Sequence, residues 1–449
     1  MPISEERLAS HIDDISAAGI AGAVGRLVTS GRLSPGDRLP TVRALAAHLG
    51  VSPMTVSSAW KVLAADGLVS TRGRAGTTVL RVEKVPSATR QRALGALNDR
   101  LAHDLASGAP DPALLPNLAP ALARVSRQPL PSTYQADPVV PELERLLRHR
   151  WPFQPESIAV VNGAGDALDR LVGLVVHRGS RIMVEDPTYP PLLDLLEAAG
   201  AALLPLAMDE QGILPASLRR ALRSEPVALF VQPRAQNPTG ASLSTARARE
   251  ISGLLGRTDV LIIEDDHAGD VAPRAPVSLG RHLPRATVHV ASFSKSHGPD
   301  LRLAAVGGAA TPIDALVDRR YLGPGWSSRL LQHVLVDLLT EPESVAQIER
   351  ARQTYAARRR ATVDALIAHG LHAASADGFN IWVEVADENY AVASLAAAGI
   401  SVARGSPFMV SRENESHIRL TISQLDKGFT DIAAAVARAA RPLSRRTVR

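Results

Sequence analysis

Five short stretches of this chain place reactive or ring-binding groups directly after apolar runs. Lys295 lies in Ser292-Phe293-Ser294-Lys295-Ser296-His297-Gly298-Pro299-Asp300-Leu301-Arg302, behind the β-branched run Ala286 to Ala291, which reads as a buried strand. An ammonium at the end of a core strand is costly. Desolvation lowers its pKa, and the free amine is a nucleophile for carbonyls. Lysine is also scarce, with only Lys61, Lys84, Lys295 and Lys427 among 50 basic residues. The competing reading is a lysine that snorkels to solvent from a strand end. Asp265 follows Val260 to Ile263, Asn237 follows Val227 to Val231, Tyr189 follows Arg181 to Val184, and Gly163-Ala164-Gly165 follows Ser157 to Val161. A carboxylate can hold a ring nitrogen protonated, an amide can bond a phenolic oxygen, and an aromatic can stack on a flat ring. A glycine-rich turn opening a helix offers N–H groups to a phosphate.

The elements that must position these groups follow from the alternation of β-branched and helix-periodic segments beyond residue 130. Alternating β and α with apolar strands implies a mostly parallel sheet covered on both faces. Ligands of such sheets bind beyond the carboxyl ends of the strands, so the five groups are candidates for one shared site. Together they meet the demands of pyridoxal 5′-phosphate (PLP), whose protein partners include a Schiff-base lysine and an acid at the pyridinium nitrogen. The alternatives are a divalent-metal cluster of Glu264, Asp265, Asp266, His267 and Asp270, or a nucleotide site. No Gly-x-x-x-x-Gly-Lys occurs to support the second. Asp166, next to the glycine turn, either repels a phosphate or caps the following helix.

Composition narrows the classes. With 449 residues, 45% of them hydrophobic and 21% charged, the chain has the balance of a globular protein of about two to three domains. The absence of cysteine excludes disulfides and thiolate chemistry. The start, Met1-Pro2-Ile3-Ser4-Glu5-Glu6, does not read as a secretory leader, and no apolar run approaches about 18 residues, so a cytoplasmic location is expected.

The first 83 residues have a different organisation. Ile15 to Val28 suits an amphipathic helix, and Pro40 opens a second through Val42, Leu45, Ala46 and Leu49. After Gly50, Ser52 and Pro53 open a third, with Val56, Ala59, Trp60 and Leu63 on its buried face. A short hairpin follows through Arg72-Gly73-Arg74-Ala75-Gly76. Helix, helix, turn, helix and hairpin make an α+β winged helix-turn-helix. Arg38, Arg43, Lys61, Arg72, Arg74 and Arg81 stand against one acid, Asp66, as phosphate contact requires. Met54, Thr55, Ser57, Ser58 and Lys61 lie on the outer face of the third helix, where base edges are read.

This segment closely resembles the DNA-binding domain of the GntR family of bacterial regulators, through Gly36 to Ala46, Leu49 to Val56, Leu63 to Leu68 and Gly76-Thr77. The resemblance implies DNA contacts from Arg43 and Thr55 and from Arg74 or its neighbours in the wing. Pro53 and Ser57 stand where relatives often carry arginines. Residues from about 105 to 430 resemble the fold-type I aminotransferases, through Asn162 to Leu168, Glu185 to Tyr189, Asn237-Pro238-Thr239-Gly240, Ile263 to His267, Ser292 to Arg302 and Ile418-Arg419-Leu420. The fusion resembles the architecture of the MocR subfamily of GntR-type regulators. The Glu-Asp-Asp-His-x-Gly form, with Gly298 to Arg302 and Gly325-Trp326, resembles its PtsJ-like branch, whose known member regulates vitamin B6 salvage.

The expected organisation is a winged helix-turn-helix at 1–83, a linker at 84–104 that turns helical after Thr89, and an α/β fold-type I PLP-dependent aminotransferase-like domain at 105–449. The last has a mostly parallel large lobe at about 131–322 and a smaller α+β lobe at about 105–130 plus 323–440. The resemblance implies that Lys295 is the Schiff-base lysine, Asp265 the pyridinium partner, Asn237 the contact to the ring hydroxyl and Tyr189 the stacking ring. Ala164, Gly165, Ser292, Ser294 and Arg302 are implied for the phosphate, Tyr134 from a second subunit, and Arg419 for the carboxylate of a substrate or effector. His267 replaces the tyrosine that many aminotransferases use beside the asparagine. No metal is expected. The resemblance implies a homodimer, held on repeated or inverted half-sites of double-stranded DNA, that answers to PLP or an amino compound. The rival is a working aminotransferase with a secondary DNA-binding domain. The basic tail, Arg438 to Arg449, reads as a disordered end.

Overall fold

The computed structural model describes residues 3–29, 32–65, 67–71, 76–80, 88–95, 101–129, 133–134, 136–411 and 416–441. It divides into two compact units, Met1–Ser87 and Ala88–Arg449.

In the first unit, helices α1 (Glu5–Ala9), α2 (Ala17–Thr29), α3 (Val42–Leu49) and α4 (Pro53–Ala65) precede the antiparallel pair β1 (Val69–Thr71) and β2 (Thr77–Val79). Thr41 caps α3 by accepting from the Ala44 N–H at 3.2 Å, and Gly50 ends it at φ 69°, a left-handed conformation that suits glycine. Ile20 and Val24 of α2, Leu45 of α3, and Val56, Trp60 and Leu63 of α4 close one core with Val69 and Val79. Leu8 of α1 joins it. That helix is too short for hydrophobic periodicity to reveal, and it is absent from the sequence reading.

The second unit opens with α5 (Thr89–Gly95), β3 (His103–Leu105), α6 (Leu118–Val125) and α7 (Pro141–Arg150). Next come β4 (Ser157–Val161), α8 (Ala164–Val175), β5 (Arg181–Asp186), α9 (Pro190–Ala198), β6 (Ala202–Asp209), β7 (Gly212–Ile213), α10 (Pro215–Ala221), β8 (Ala228–Val231), α11 (Thr245–Leu255), β9 (Leu261–Asp266), β10 (Thr287–Ser292) and β11 (Ala304–Gly308). The chain continues through α12 (Ala310–Tyr321), α13 (Arg329–Thr340), α14 (Pro342–Ala368), β12 (Ala373–Ala374), β13 (Asn380–Val385), α15 (Glu388–Ala397), β14 (Ile400–Arg404), β15 (Ser416–Thr421) and α16 (Phe429–Ala440).

Eight strands form one sheet in the order β4-β11-β10-β9-β8-β5-β6-β7. Strands β10, β9, β8, β5 and β6 run parallel, while β11 is antiparallel to both its neighbours. Along β5, Ile182 and Val184 pack under α8 and α9, while Met183 between them packs with α10 and α11. This two-residue alternation with both faces apolar is what a doubly covered sheet requires. A second sheet, β12-β13-β15-β14-β3, carries α14, α15 and α16 on its apolar face.

Two expected boundaries move. Helices α6 and α13 were assigned to the small lobe, yet Ala121, Val125, Val334, Leu335 and Leu338 pack with Val160 of β4 and Ala305 of β11 on the large sheet. Their apolar stripes find their cover there. The stretch 84–104, read as a linker, contains α5 and part of β3. Both belong to the second unit, where the Arg90 N–H donates to Asp194 at 3.1 Å and its guanidinium to the Pro407 and Met409 carbonyls at 3.1 and 2.9 Å. No helix among the described residues is long and apolar enough to cross a membrane.

Candidate functional site

The ends of β4, β5, β8, β9 and β10 open on a cavity of about 700 Å³. It is lined by Ala164, Gly165, Tyr189, Asn237, Asp265, His267, Ser292, Ser294, Lys295, Arg302 and Arg419, so these expected site residues share one enclosure. Tyr134 does not join them within this chain. It is 87% exposed and stands edge-on to Trp326, with ring centroids 6.0 Å apart.

Lys295 stands three residues beyond β10, where the backbone has turned its side chain into the cavity. Its Nζ donates to the Gly108 carbonyl at 2.5 Å and lies 5.9 Å from the centre of the Phe379 ring. Burial, with a smaller push from Arg419, lowers its pKa to about 8. The half-buried lysine is therefore partly in the free-amine form near neutrality, the form that attacks carbonyls.

Asp265 lies on β9 itself rather than past its end. The strand continues through Asp266, and alternation sends these neighbouring acids to opposite faces. Asp266 faces away from the cavity and receives Arg234 through Nε at 2.9 Å and Nη2 at 2.7 Å. Burial alone would raise its pKa, but Arg234 outweighs it and holds the carboxyl below its ordinary value. Asp265 faces the cavity, and burial raises its pKa. Its Oδ2 accepts from the Gln232 amide at 2.8 Å, whereas its buried Oδ1 has no partner. The same strand thus holds one satisfied acid and one acid open towards the cavity.

This contrast carries a stability prediction. Arg234→Ala leaves the Asp266 carboxylate buried and unpaired, and should cost about 3–5 kcal/mol in chemical denaturation. Because the folded-state pKa of Asp266 is depressed, its contribution is present above the unfolded carboxylate range and is lost as pH falls through the folded value. The wild-type advantage over Arg234→Ala should therefore shrink in acid.

Gln232 was missed in the sequence although the strand-end rule points at it, as it is the first residue past β8. Besides holding Asp265, its Oε1 accepts the Asn237 N–H at 2.8 Å, and its own N–H donates to Glu185 at 3.0 Å. Glu185 is fully buried, and its pKa is pushed up to about 8 by burial. The Asn237 Oδ1 accepts from Arg419 Nη1 at 3.1 Å and from the Asn380 amide at 3.4 Å. Arg419, on β15, also donates to the Ala106 carbonyl and lies over the Phe408 ring at 5.2 Å. Its Nε is buried without a partner, and burial lowers its pKa to about 10.

At the other end, Gly163 starts α8 at φ 90° without a side-chain cap. A side chain there would meet the Arg302 guanidinium at 3.3 Å, which explains the glycine. Asp166 does not face a phosphate position unbalanced. It accepts the Asn162 N–H at 3.0 Å, Arg170 at 2.7 Å and Arg320 at 3.2 Å. Burial raises the Tyr189 pKa to about 12, which keeps the ring neutral. His267 places Nε2 2.8 Å from the Ala235 carbonyl, so that nitrogen carries the proton, and burial lowers the imidazole's pKa.

The metal alternative fails on partners. Glu264 is taken up by Ser278, the Leu279 N–H and His289, Asp266 by Arg234, and Asp270 by Arg150. No group of three or more potential ligands converges among the described residues. The structure fits PLP instead. Asp265 Oδ1 could take its ring nitrogen, the Lys295 amine its aldehyde, and the uncapped start of α8 beside Arg302 its phosphate. Two further lining residues, Gln91 and Leu94, come from α5. Nothing in their sequence spacing marks them, because only the docking of α5 brings them to the cavity.

In the first unit, Arg38, Arg43 and Lys61 are exposed, and Thr55 and Ser57 are half-buried. The Thr55 hydroxyl lies 2.9 Å from that of Ser52, inside the helix cap. Arg72 and Arg74 of the wing, Arg81, and the tail beyond Arg441 lie outside the described residues.

Residues 16–79 match the family of bacterial regulatory proteins called gntR, and residues 102–436 match aminotransferase class I and II. The vitamin B6 salvage pathway transcriptional repressor PtsJ of Salmonella typhimurium is 36% identical over 435 residues, covering 94% of this chain and 98% of that protein. The probable rhizopine catabolism regulatory protein MocR of Rhizobium meliloti is 27% identical and covers 75% of this chain and 74% of its own. The α-aminoadipate aminotransferase LysN of Thermus thermophilus, solved with N-(5′-phosphopyridoxyl)-L-leucine, shares the fold of the second unit. It gives a TM-score of 0.69 at 22% identity over 78% of this chain and 96% of its own.

Proposed function

From the premise that the chain belongs to the MocR subfamily of GntR-type regulators, with a class I and II aminotransferase domain, we propose that it is a PLP-responsive transcription regulator acting in the cytoplasm on vitamin B6 or amino-compound metabolism. The observation that carries the cofactor is the pairing, in one cavity, of a buried Lys295 amine with an unpartnered Asp265 oxygen. The relation to PtsJ supports the vitamin B6 assignment.

When bound, PLP supplies an electrophilic carbonyl conjugated to an electron-withdrawing ring. The chain's own residues do the rest. Lys295 is the attachment point. Asp265 holds a proton at the ring nitrogen, and Gln232 fixes its carboxylate. Tyr189 covers a ring face, Asn237 meets the ring oxygen, and the α8 start with Ser292, Ser294 and Arg302 anchors the phosphate. Arg419 takes the carboxylate of an amino-compound effector. With Nε2–H committed to Ala235, the neutral His267 presents only an acceptor at Nδ1. It therefore does not replace a tyrosine hydroxyl as donor to the ring oxygen, which favours sensing over efficient transamination.

Arg38, Arg43, Thr55, Ser57 and Lys61, with Arg72 and Arg74, are the proposed DNA contacts. A homodimer is proposed from the exposed apolar side chains Tyr134, Tyr321 (56%) and Leu322 (81%), which a second copy could cover, and from the resemblance that places Tyr134 in a partner's site.

For a ligand to regulate, it must bind two arrangements of the protein with different affinity. Footprinting of the full-length protein on the DNA upstream of its own gene, with and without PLP, tests the whole reading. Protection whose strength changes with PLP is expected. Protection identical at saturating PLP would sink the regulatory role of the cofactor, and multiple-turnover transamination at enzyme-like rates would favour the enzyme instead.

A further inference from the structure

Helix α4 has two faces. Val56, Ala59, Trp60 and Leu63 are buried in the core. On the opposite side Met54, Ser58 and Lys61, spaced by four and three residues, form one stripe. Met54 is 73% exposed, more than Ile15 (50%) or Val62 (46%) of the same unit. An apolar side chain this exposed adds little buried area to the core.

The surroundings identify what it meets. Residues 38–80 carry one acid, Asp66, against five cations, Arg38, Arg43, Lys61, Arg72 and Arg74, and Arg38, Arg43 and Lys61 are exposed, a charge balance complementary to phosphate. A helix that enters a major groove places its first-turn side chains on base edges and later ones nearer the backbone. In the first turn of α4 the hydroxyls are already engaged. Ser52 Oγ lies 2.9 Å from Thr55 Oγ1 and accepts the Thr55 N–H at 3.1 Å. The helix carries no arginine to span the O6 and N7 acceptors of guanine, and its single cation, Lys61, lies two turns in. What the first turn itself leaves unengaged is a thioether side chain. It offers no strong donor or acceptor and gains most against another apolar group, and the apolar group displayed in the major groove is the 5-methyl of thymine.

We propose that Met54 is a specificity-determining residue of the DNA-binding unit, reading a T·A pair in each half-site through the thymine methyl. Ser58 and Lys61 on the same stripe face the adjoining bases and backbone. The inference rests on the DNA-binding reading above and adds to it which base class is read and how.

The test uses full-length protein. Duplexes retained from a random-sequence pool are sequenced, and the tightest is remade with each thymine in turn replaced by uracil, which removes only the methyl. At one position per half-site, uracil should weaken binding about fourfold, the effect of one methyl leaving an apolar contact. In Met54→Ala, which alters only an exposed side chain, uracil at that position should have no further effect, while Met54→Leu should retain the thymine preference. Equal affinity for thymine and uracil at every position, or a uracil effect undiminished in Met54→Ala, would overturn the proposal. A pool from which nothing is retained would instead remove the DNA-binding reading, and this proposal with it.

Discussion

Lys295→Ala protein passed through a desalting column after incubation with PLP should emerge colourless, whereas the wild type should keep its visible absorbance. The variant's DNA footprint should no longer respond to the cofactor. The expectation rests on the amine's setting as well as its identity. Lowering the pKa from 10.5 to about 8 raises the free-amine fraction at pH 7 roughly 300-fold. The sign gives a pH profile. Uptake by the wild type should rise about tenfold per pH unit below 8, as the neutral amine accumulates, and level off above it. A rate still climbing towards pH 10.5 would show an ordinary surface amine, and a coloured Lys295→Ala protein would remove the residue from its role.

Arg419→Met should separate two properties that usually fall together. Arg419 is 4% exposed, and its guanidinium donates to Asn237 and to the Ala106 carbonyl and leaves Nε unpartnered. Removing it costs those hydrogen bonds but relieves the burial of a cation that drives its pKa to about 10. The two effects oppose, so thermal stability should move by less than about 2 kcal/mol. Affinity for an effector carboxylate should fall far more. One charge-assisted Arg–carboxylate contact at about 1.5–3 kcal/mol corresponds to a loss of roughly 10–150-fold. Spectral titration of the PLP-loaded protein with amino acids reads this directly. PLP uptake should survive, and unchanged amino-acid affinity would show that Arg419 only supports Asn237.

What could be read in the sequence was whatever a single strand end exposes. Lys295, Asn237, Tyr189 and the Gly163 turn each follow an apolar run, so the sheet rule gathered them before any coordinates did. Asp265 could be named as the ring partner, but what separates it from Asp266 had no local signal. Alternation on β9 gives Asp266 an arginine and leaves Asp265 Oδ1 without a protein partner, and the register of that strand is set by its neighbours. Gln232 was within reach of the same rule and was passed over for the more familiar Asn237. Arg419, on the second sheet, came from resemblance alone. Gln91, Leu94, Asp104 and Phe379 had no local signal, because the surface they line exists only after α5 and the second sheet close over the strand ends. Helix α13 was misassigned for a related reason. Its periodicity shows that it buries a stripe, but not which sheet covers it.

The docking of α5 bears on where the chain can be cut. A fragment begun at residue 105, the boundary the sequence suggests, would discard the helix that holds Gln91 and Leu94 against the cavity. It would also release Asp194, Glu197 and the Pro407 and Met409 carbonyls from Arg90. Such a fragment can keep Lys295 and turn yellow, yet the chamber it offers has lost a wall. Selectivity measured on it would describe a different receptor, and the ligand that matters to the intact protein could be ranked among those that do not.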